Sequence, residues 1–381
     1  MKAILIAAAL SIAAASGSQA EPPAPAAGAI RVATFNTALS SRNPGQLVQQ
    51  LRLGGSERID AVAEIIQRVR ADVILLNELD HDERAIAATL FRDHLIEGRG
   101  GAEGIDYPHI FTAPVNTGVP SGFDLDGDGR RGGPRDAFGF GYFEGQYGMA
   151  ILSRLPLDPA GVRSFQRQLW ADMPGNLMPS DHFGPAAPHL RLSSKSHWDA
   201  PVRLPDGRVL HLLAFHPTPP VFDGPEDANG RRNHDEIRFW VDYAGGADWM
   251  VDDSGVAGGL APGAPWVALG DLNADPHDGD ARRGALNLLL AMAQDPAPKS
   301  AGGAAAPSRP GAKGDPALHT ADWREEGGPG NLRVDYVLPS TEWEITGAGV
   351  FWPAQGDPLR RLVGRGGEAS SDHRLVWVDI R

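Results

Sequence analysis

The chain contains no cysteine, so disulfides, thiolate metal sites and cysteine nucleophiles are excluded. It also lacks an excess of positive charge: 35 Lys and Arg stand against 48 Asp and Glu, for a formal net charge of −13. Such a surface does not draw nucleic acid by bulk charge, whereas abundant carboxylates suit the holding of divalent cations. Beyond residue 20 no apolar run is long enough to cross a bilayer. A GxxxxGK[ST] loop, a GxSxG elbow, an HExxH helix, a dinucleotide fingerprint set between a strand and a helix, and any internal repeat are missing as well, which removes the common nucleotide-binding, serine-hydrolase and zinc-protease readings.

The ends divide the chain. Residues 1–20 predict a signal peptide, with Lys2 before an apolar run at 4–12 and Ala20 at the cleavage position. Export to a periplasm or beyond the cell is therefore expected. No Cys follows the run to take a lipid. Residues 21–29 read as a Pro/Ala linker without periodicity, and residues 30–381 as the folded domain.

What is present is organised around WVALGDLNADP, residues 266–276, where a short apolar strand runs into Asp271 and Asn273. The pattern recurs along the chain. IRVATFN ends at Asn36, ADVILLNELD carries Glu78 just past a buried strand, and VLHLLAFHPTPP ends at His216 before a run of prolines. LRVDYVLPS places Asp335 in the middle of a strand, and SSDHRLVWVDIR sets Asp372 and His373 before a last one. Helices are expected after Ser56 as N-cap, with Ile59, Val62, Ile65, Ile66 and Val69 at helical spacing, over residues 230–243, and over 281–293. Residues 296–316 read as loop, and Lys195 and His197 fall on a strand as secondary candidates.

Within the Gly-rich stretch 98–147 lies FDLDGDGR. Asp124, Asp126 and Asp128 at spacing two, with Gly129 sixth, match the first half of a calcium loop, but Arg135 holds the twelfth place where such a loop carries Glu. A loop stapled by Ca2+ is expected rather than an EF-hand.

Strand ends in a twisted sheet converge on one edge, so Asn36, Glu78, His216, Asp271 with Asn273, Asp335, and Asp372 with His373 argue for one site. Carboxylates and amides without Cys favour Mg2+, Mn2+ or Ca2+. Two His residues can serve as general acid and base. Hydrolysis of a phosphate ester needs these parts: a cation on the nonbridging oxygens, an oriented water, and donors for developing charge.

Taken in order, FNT, NELD, FHP, GDLNADP, RVDYVL and SDHRLV resemble the motifs of the endonuclease/exonuclease/phosphatase (DNase I-like) superfamily, from residue 30 to the end. The resemblance implies an α/β four-layer sandwich, two mixed β-sheets face to face with helices outside. It implies Asn36, Glu78 and Asp372 as the metal-binding set for Mg2+ or Mn2+, and Asp271 as holder of the attacking water or a second cation. Asn273 would bind the phosphate, His373 would be the general base oriented by Asp335, and His216 would serve the leaving side. In DNase I the second His pairs with a Glu near a Tyr. The matching stretch here, FEGQYGMA, offers Glu144 or Tyr147.

The expected activity is an exported, metal-dependent phosphodiesterase acting on nucleic acid, phospholipid or sphingomyelin, with a sugar- or inositol-phosphate phosphatase as the alternative. A lipid substrate would call for an exposed aromatic loop, for which Trp170, Trp198, Phe351 and Trp352 are candidates. A calcium-stabilised binding module without catalysis is the reading from another class. No obligate protein partner is implied.

Overall fold

The computed structural model describes residues 21–323 and 328–381, so the expected signal peptide lies outside the described residues. In chain order the strands are β1 (Ile30–Asn36), β2 (Val73–Asn77), β3 (His109–Phe111), β4 (Met149–Ser153), β5 (Arg163–Ser164) and β6 (His197–Arg203). There follow β7 (Val209–Phe215), β8 (Trp266–Asp271), β9 (Asp335–Pro339), β10 (Ile345–Val350) and β11 (Val376–Ile380). The helices are α1 (Gln46–Leu53), α2 (Glu57–Val69), α3 (Ile86–His94), α4 (Ser180–Phe183), α5 (Ala228–Ala244), α6 (Arg283–Met292) and α7 (Ala301–Ala304).

Two mixed sheets result, β10-β11-β1-β2-β4-β3 and β5-β6-β7-β8-β9. Each contains one parallel pair, β1 with β2 and β7 with β8, so the C-terminal ends of those strands open on a common edge. Strand periodicity sorts the second sheet's side chains. Leu210, Leu212 and Ala214 of β7 and Val267 and Leu269 of β8 join the core that also holds Val32, Phe35 and Leu75 of the first sheet. Their alternates Leu213, Phe215 and Ala268 pack with Ile237 and Trp240 of α5 and Leu286 and Leu289 of α6. Helix α2 begins where Ser56 accepts the Ile59 N–H (3.4 Å) and buries Ile59, Val62, Ile65, Ile66 and Val69. The layers are thus helix, sheet, sheet, helix, the expected sandwich.

The same alternation carries chemistry into the interface. His216 continues the series 210, 212, 214, and Asp271 the series 267, 269, so both side chains face the first sheet at its edge. Gly270 makes this turn in direction practicable. Its φ is 152°, and a Cβ there would stand 2.0 Å from the Phe215 carbonyl oxygen.

Several local expectations shift. Asp335 is the first residue of β9, not its middle, because Thr320 Oγ1 takes the Val334 and Asp335 N–H groups at 3.0 and 2.9 Å before the ladder starts. That register sets Asp335 opposite Asp271. Lys195 precedes β6 rather than lying on it. The stretch expected as loop contains α7, which Ser300 caps through the Gly303 N–H. Residues 21–29 are tied down: the Pro23 carbonyl accepts from Arg31 at 2.6 Å and Glu21 pairs with Arg68.

Candidate active site

Four strand ends meet on the Asp271 carboxylate. Its Oδ2 accepts from Asn36 Nδ2 (3.0 Å) and lies 3.3 Å from His216 Nε2 and 3.6 Å from His373 Nε2. Its Oδ1 takes the Asn273 backbone N–H at 2.9 Å. The Asn36 amide also donates to Glu78 Oε1 at 3.1 Å, while its Oδ1 accepts from the Ala38 N–H at 3.1 Å. Asn36 therefore spaces two carboxylates. Behind His373, Nδ1 lies 3.0 and 3.1 Å from the two Asp335 oxygens. Asp271, Asp335 and His373 bring their ligand atoms within 4.8 Å of one another, all buried.

Glu78, Asp271, Asn273, Asp372 and His373 line one cleft of about 1180 Å3. Glu78 and Asn273 hold φ of 56° and 50°, conformations that cost a non-glycine residue of order 1–3 kcal/mol and collect at functional sites. The segments that follow His216 and Asp271 are pinned from α5. Glu236 accepts the Ser194 and Thr218 N–H groups at 2.6 Å each, and Asn233 donates to the Thr218 and Leu272 carbonyls at 2.9 Å each.

The electrostatics follow from burial and neighbours. At Asp271 burial pushes upward, but His373, His216 and the Asn36 amide outweigh it and hold the carboxyl well below the usual range. Burial drives the Asp335 carboxyl up to about 6 against the pull of His373. At His373 burial favours the neutral ring, yet the Asp335 and Asp271 carboxylates prevail and hold it well above the ordinary histidine value. His216 is lowered instead, by burial and then by the Lys195 cation, despite Asp271. Two imidazoles on one carboxylate are thus pushed apart, which is how acid and base become distinguishable.

Every strand-end residue singled out from sequence is brought to this place, while Asp124, Asp126 and Asp128 form a separate exposed group. That loop is folded by its own carboxylates: Asp124 accepts the Gly127 and Gly129 N–H groups at 2.8 and 2.9 Å. Asp136, one past Arg135, closes it through the Leu125, Gly132 and Gly133 N–H groups. The expected partner of His216 does not materialise. Among the described residues its buried Nδ1 meets neither Glu144, Tyr147 nor any other protein group. His197 is structural, donating Nε2–H to the Glu236 carbonyl at 2.8 Å within an aromatic cluster, whereas Lys195 is buried in the field of Glu236, Glu78 and Asp271.

The aromatic candidates are corrected as well. Trp170, Trp198, Phe351 and Trp352 are all core, and the exposed rings are Phe140, Tyr142 and Phe222. Sequence reading missed Thr320 and Trp323. The indole of Trp323 donates to Asp372 Oδ2 at 2.8 Å and meets the His373 ring edge to face at 5.3 Å. Both sit in irregular chain with no periodic signal. Asn233 and Glu236 left one, as polar residues three apart on a helix face that also carries Ile237 and Trp240.

Comparison with known proteins finds the same fold. The endonuclease/exonuclease/phosphatase from Beutenbergia cavernae is 18% identical, with 93% of this chain and 71% of that one covered at a TM-score of 0.52. A family protein from Leptotrichia buccalis is 14% identical, over 92% and 99% of the two chains at 0.47. Sphingomyelinase C from Streptomyces griseocarneus is 15% identical, over 92% and 99% at 0.43. No curated protein sequence matches. The sequence itself matches the family description "Endonuclease/Exonuclease/phosphatase family" over residues 33–373, which spans every strand-end residue of the cluster. The chain therefore belongs to the Endonuclease/Exonuclease/phosphatase family, whose members are metal-dependent phosphoesterases.

Proposed function

We propose that the chain is an exported phosphodiesterase working with Mg2+ or Mn2+. The observation that carries the reading is the Asp271 carboxylate, set at once against Asn36, His216 and His373 in a cleft that Glu78 and Asp372 also line. The donors fit a hard divalent cation: Glu78 and Asp372 offer oxygen, Asn36 holds Glu78 in place, and no thiolate is present. A cation held there would neutralise charge on the nonbridging phosphate oxygens. In the proposed division of labour Asp271 orients the attacking water and Asn273 holds a phosphate oxygen through its side-chain amide. His373, oriented by Asp335, and His216 Nε2 divide the two proton transfers between them, one from the attacking water and one to the leaving oxygen. Asp124, Asp126 and Asp128 would hold a structural Ca2+ outside the cleft.

The cleft is far larger than one phosphate, which supports a diester whose second group occupies the space beyond the reacting phosphorus. Its lining includes Asp275, Asp278, Asp280, Asp322 and Glu368, and the chain carries a net charge of −13. These acids favour short, singly charged diesters over a duplex polyanion. The test is hydrolysis of bis-p-nitrophenyl phosphate against p-nitrophenyl phosphate. Faster, metal-dependent release from the diester is expected. Monoester-only turnover would make the protein a phosphatase, and silence on both with Ca2+-dependent stability intact would make it a binding module.

A further inference from the structure

Among the described residues, one large apolar side chain is both exposed and part of the catalytic cleft. Phe222 is 96% exposed and lines the cleft with Asp271 and His373. Its φ of 63° is one a bulky aromatic residue rarely adopts. Folding gains nothing from this arrangement, since the ring buries almost no surface and the backbone is strained.

The segment bearing it is nevertheless fixed. Pro217, Pro219, Pro220 and Pro225 restrict the chain around it. The Val221 carbonyl accepts from Asn229 Nδ2 at 2.8 Å, and Asp223 takes the Asn229 and Gly230 N–H groups at 2.7 and 2.9 Å, anchoring both flanks of Phe222 to α5. The same segment begins at His216. An exposed ring carried on an anchored backbone in the wall of this cleft is a preorganised contact for something that enters it.

Its surroundings select the occupant. Asp223, Glu226 and Asp227 follow directly, the acids lining the cleft outnumber its cations Arg309 and Arg365, and among the described residues no other exposed large apolar side chain lines it. A lone ring among acids is a poor anchor for a bilayer, which wants a continuous apolar patch and, at anionic surfaces, cations. A flat ring does suit stacking on another flat ring.

We propose that Phe222 is a stacking platform for a planar ring carried by the substrate, an aryl or nucleobase group attached to the phosphodiester. The inference rests on the phosphodiesterase reading and names the substrate class of that site. Phe222 acts on binding, so it determines specificity rather than chemistry.

The test uses the full chain with Mn2+ and bis-p-nitrophenyl phosphate, inhibited competitively by benzylphosphonate or methylphosphonate, which share an anionic head and differ in the ring. Wild type is expected to bind benzylphosphonate about tenfold more tightly than methylphosphonate. Phe222→Gly, which suits the positive φ and so does not threaten folding, should bring that ratio close to one, and Phe222→Trp should keep it. A ratio near one in wild type, or one unchanged in Phe222→Gly, overturns the stacking role while diester turnover stands. If Phe222→Gly instead releases the protein from phosphatidylcholine vesicles with the ratio unchanged, the ring is a lipid contact and the inference falls. Absence of both diester turnover and phosphonate binding contradicts the functional reading along with it.

Discussion

Asp335 and His373 show how much a single pairing decides. The imidazole is buried, and burial alone would keep it neutral, yet two carboxylates hold it protonated well above the usual range. Asp335 therefore fixes both the orientation and the charge of the ring. Replacing it by Asn keeps the size and removes the charge. Asp335→Asn is expected to lower kcat roughly 10²- to 10⁴-fold and to shift the pH profile, with an unchanged far-UV circular dichroism spectrum. Full activity in that variant would show that His373 needs no such partner. At this scale the sequence is legible where strand periodicity sets a polar residue after an apolar run, as at Asn36, Glu78, His216 and Asp271. It is silent on Trp323 and Phe222, whose positions depend on irregular chain and on contacts distant in sequence.

Helix α5 does more for the site than its surface character suggests. One face carries Asn233 and Glu236, which hold the segment after β7. The same helix buries His197 against Phe239 and Trp240, with ring centroids 4.5 and 5.2 Å away. Burial pulls the His197 ring down to about 4, with Glu236 opposing. In an unfolded chain the ring titrates near 6.5. Between those values the unfolded state binds the extra proton, so this stability is complete above about 6.5 and is lost as pH falls through the window toward 4. The loss is about 3 kcal/mol at the acid end. Urea unfolding of wild type and His197→Phe at several pH values should show a shallower acid slope in the variant. Equal slopes would place the acid sensitivity elsewhere. Element existence was readable here, because Ile237, Trp240 and Val241 mark the helix. The role of its polar face was not, since a single sequence does not reveal that a carboxylate is buried against two N–H donors.

The molecule as a whole assembles one site from two sheets. The first sheet and its flanking loops supply Asn36, Glu78, Asp372 and His373, and the second supplies His216, Asp271, Asn273 and Asp335. Neither sheet alone carries the cluster. Pairing order between positions as far apart as Asn36 and His373 is what sequence could not yield except through resemblance, since periodicity gives faces but not neighbours. Metal binding in the cleft should stabilise this packing by mass action, about 2.7 kcal/mol at a hundredfold excess over Kd. Mn2+ is therefore expected to raise Tm in wild type and to raise it much less in Glu78→Gln, read by calorimetry. An equal rise in both would move the main cation site away from Glu78.

The most direct measurement follows p-nitrophenolate release from bis-p-nitrophenyl phosphate by wild type and His373→Ala side by side, with Mn2+ and then with EDTA. Turnover that needs Mn2+, disappears with EDTA and falls at least a hundredfold in the folded variant is the expected result. Equal turnover in the two proteins, or turnover indifferent to EDTA, would contradict a metal-dependent centre built on Asp271 and His373.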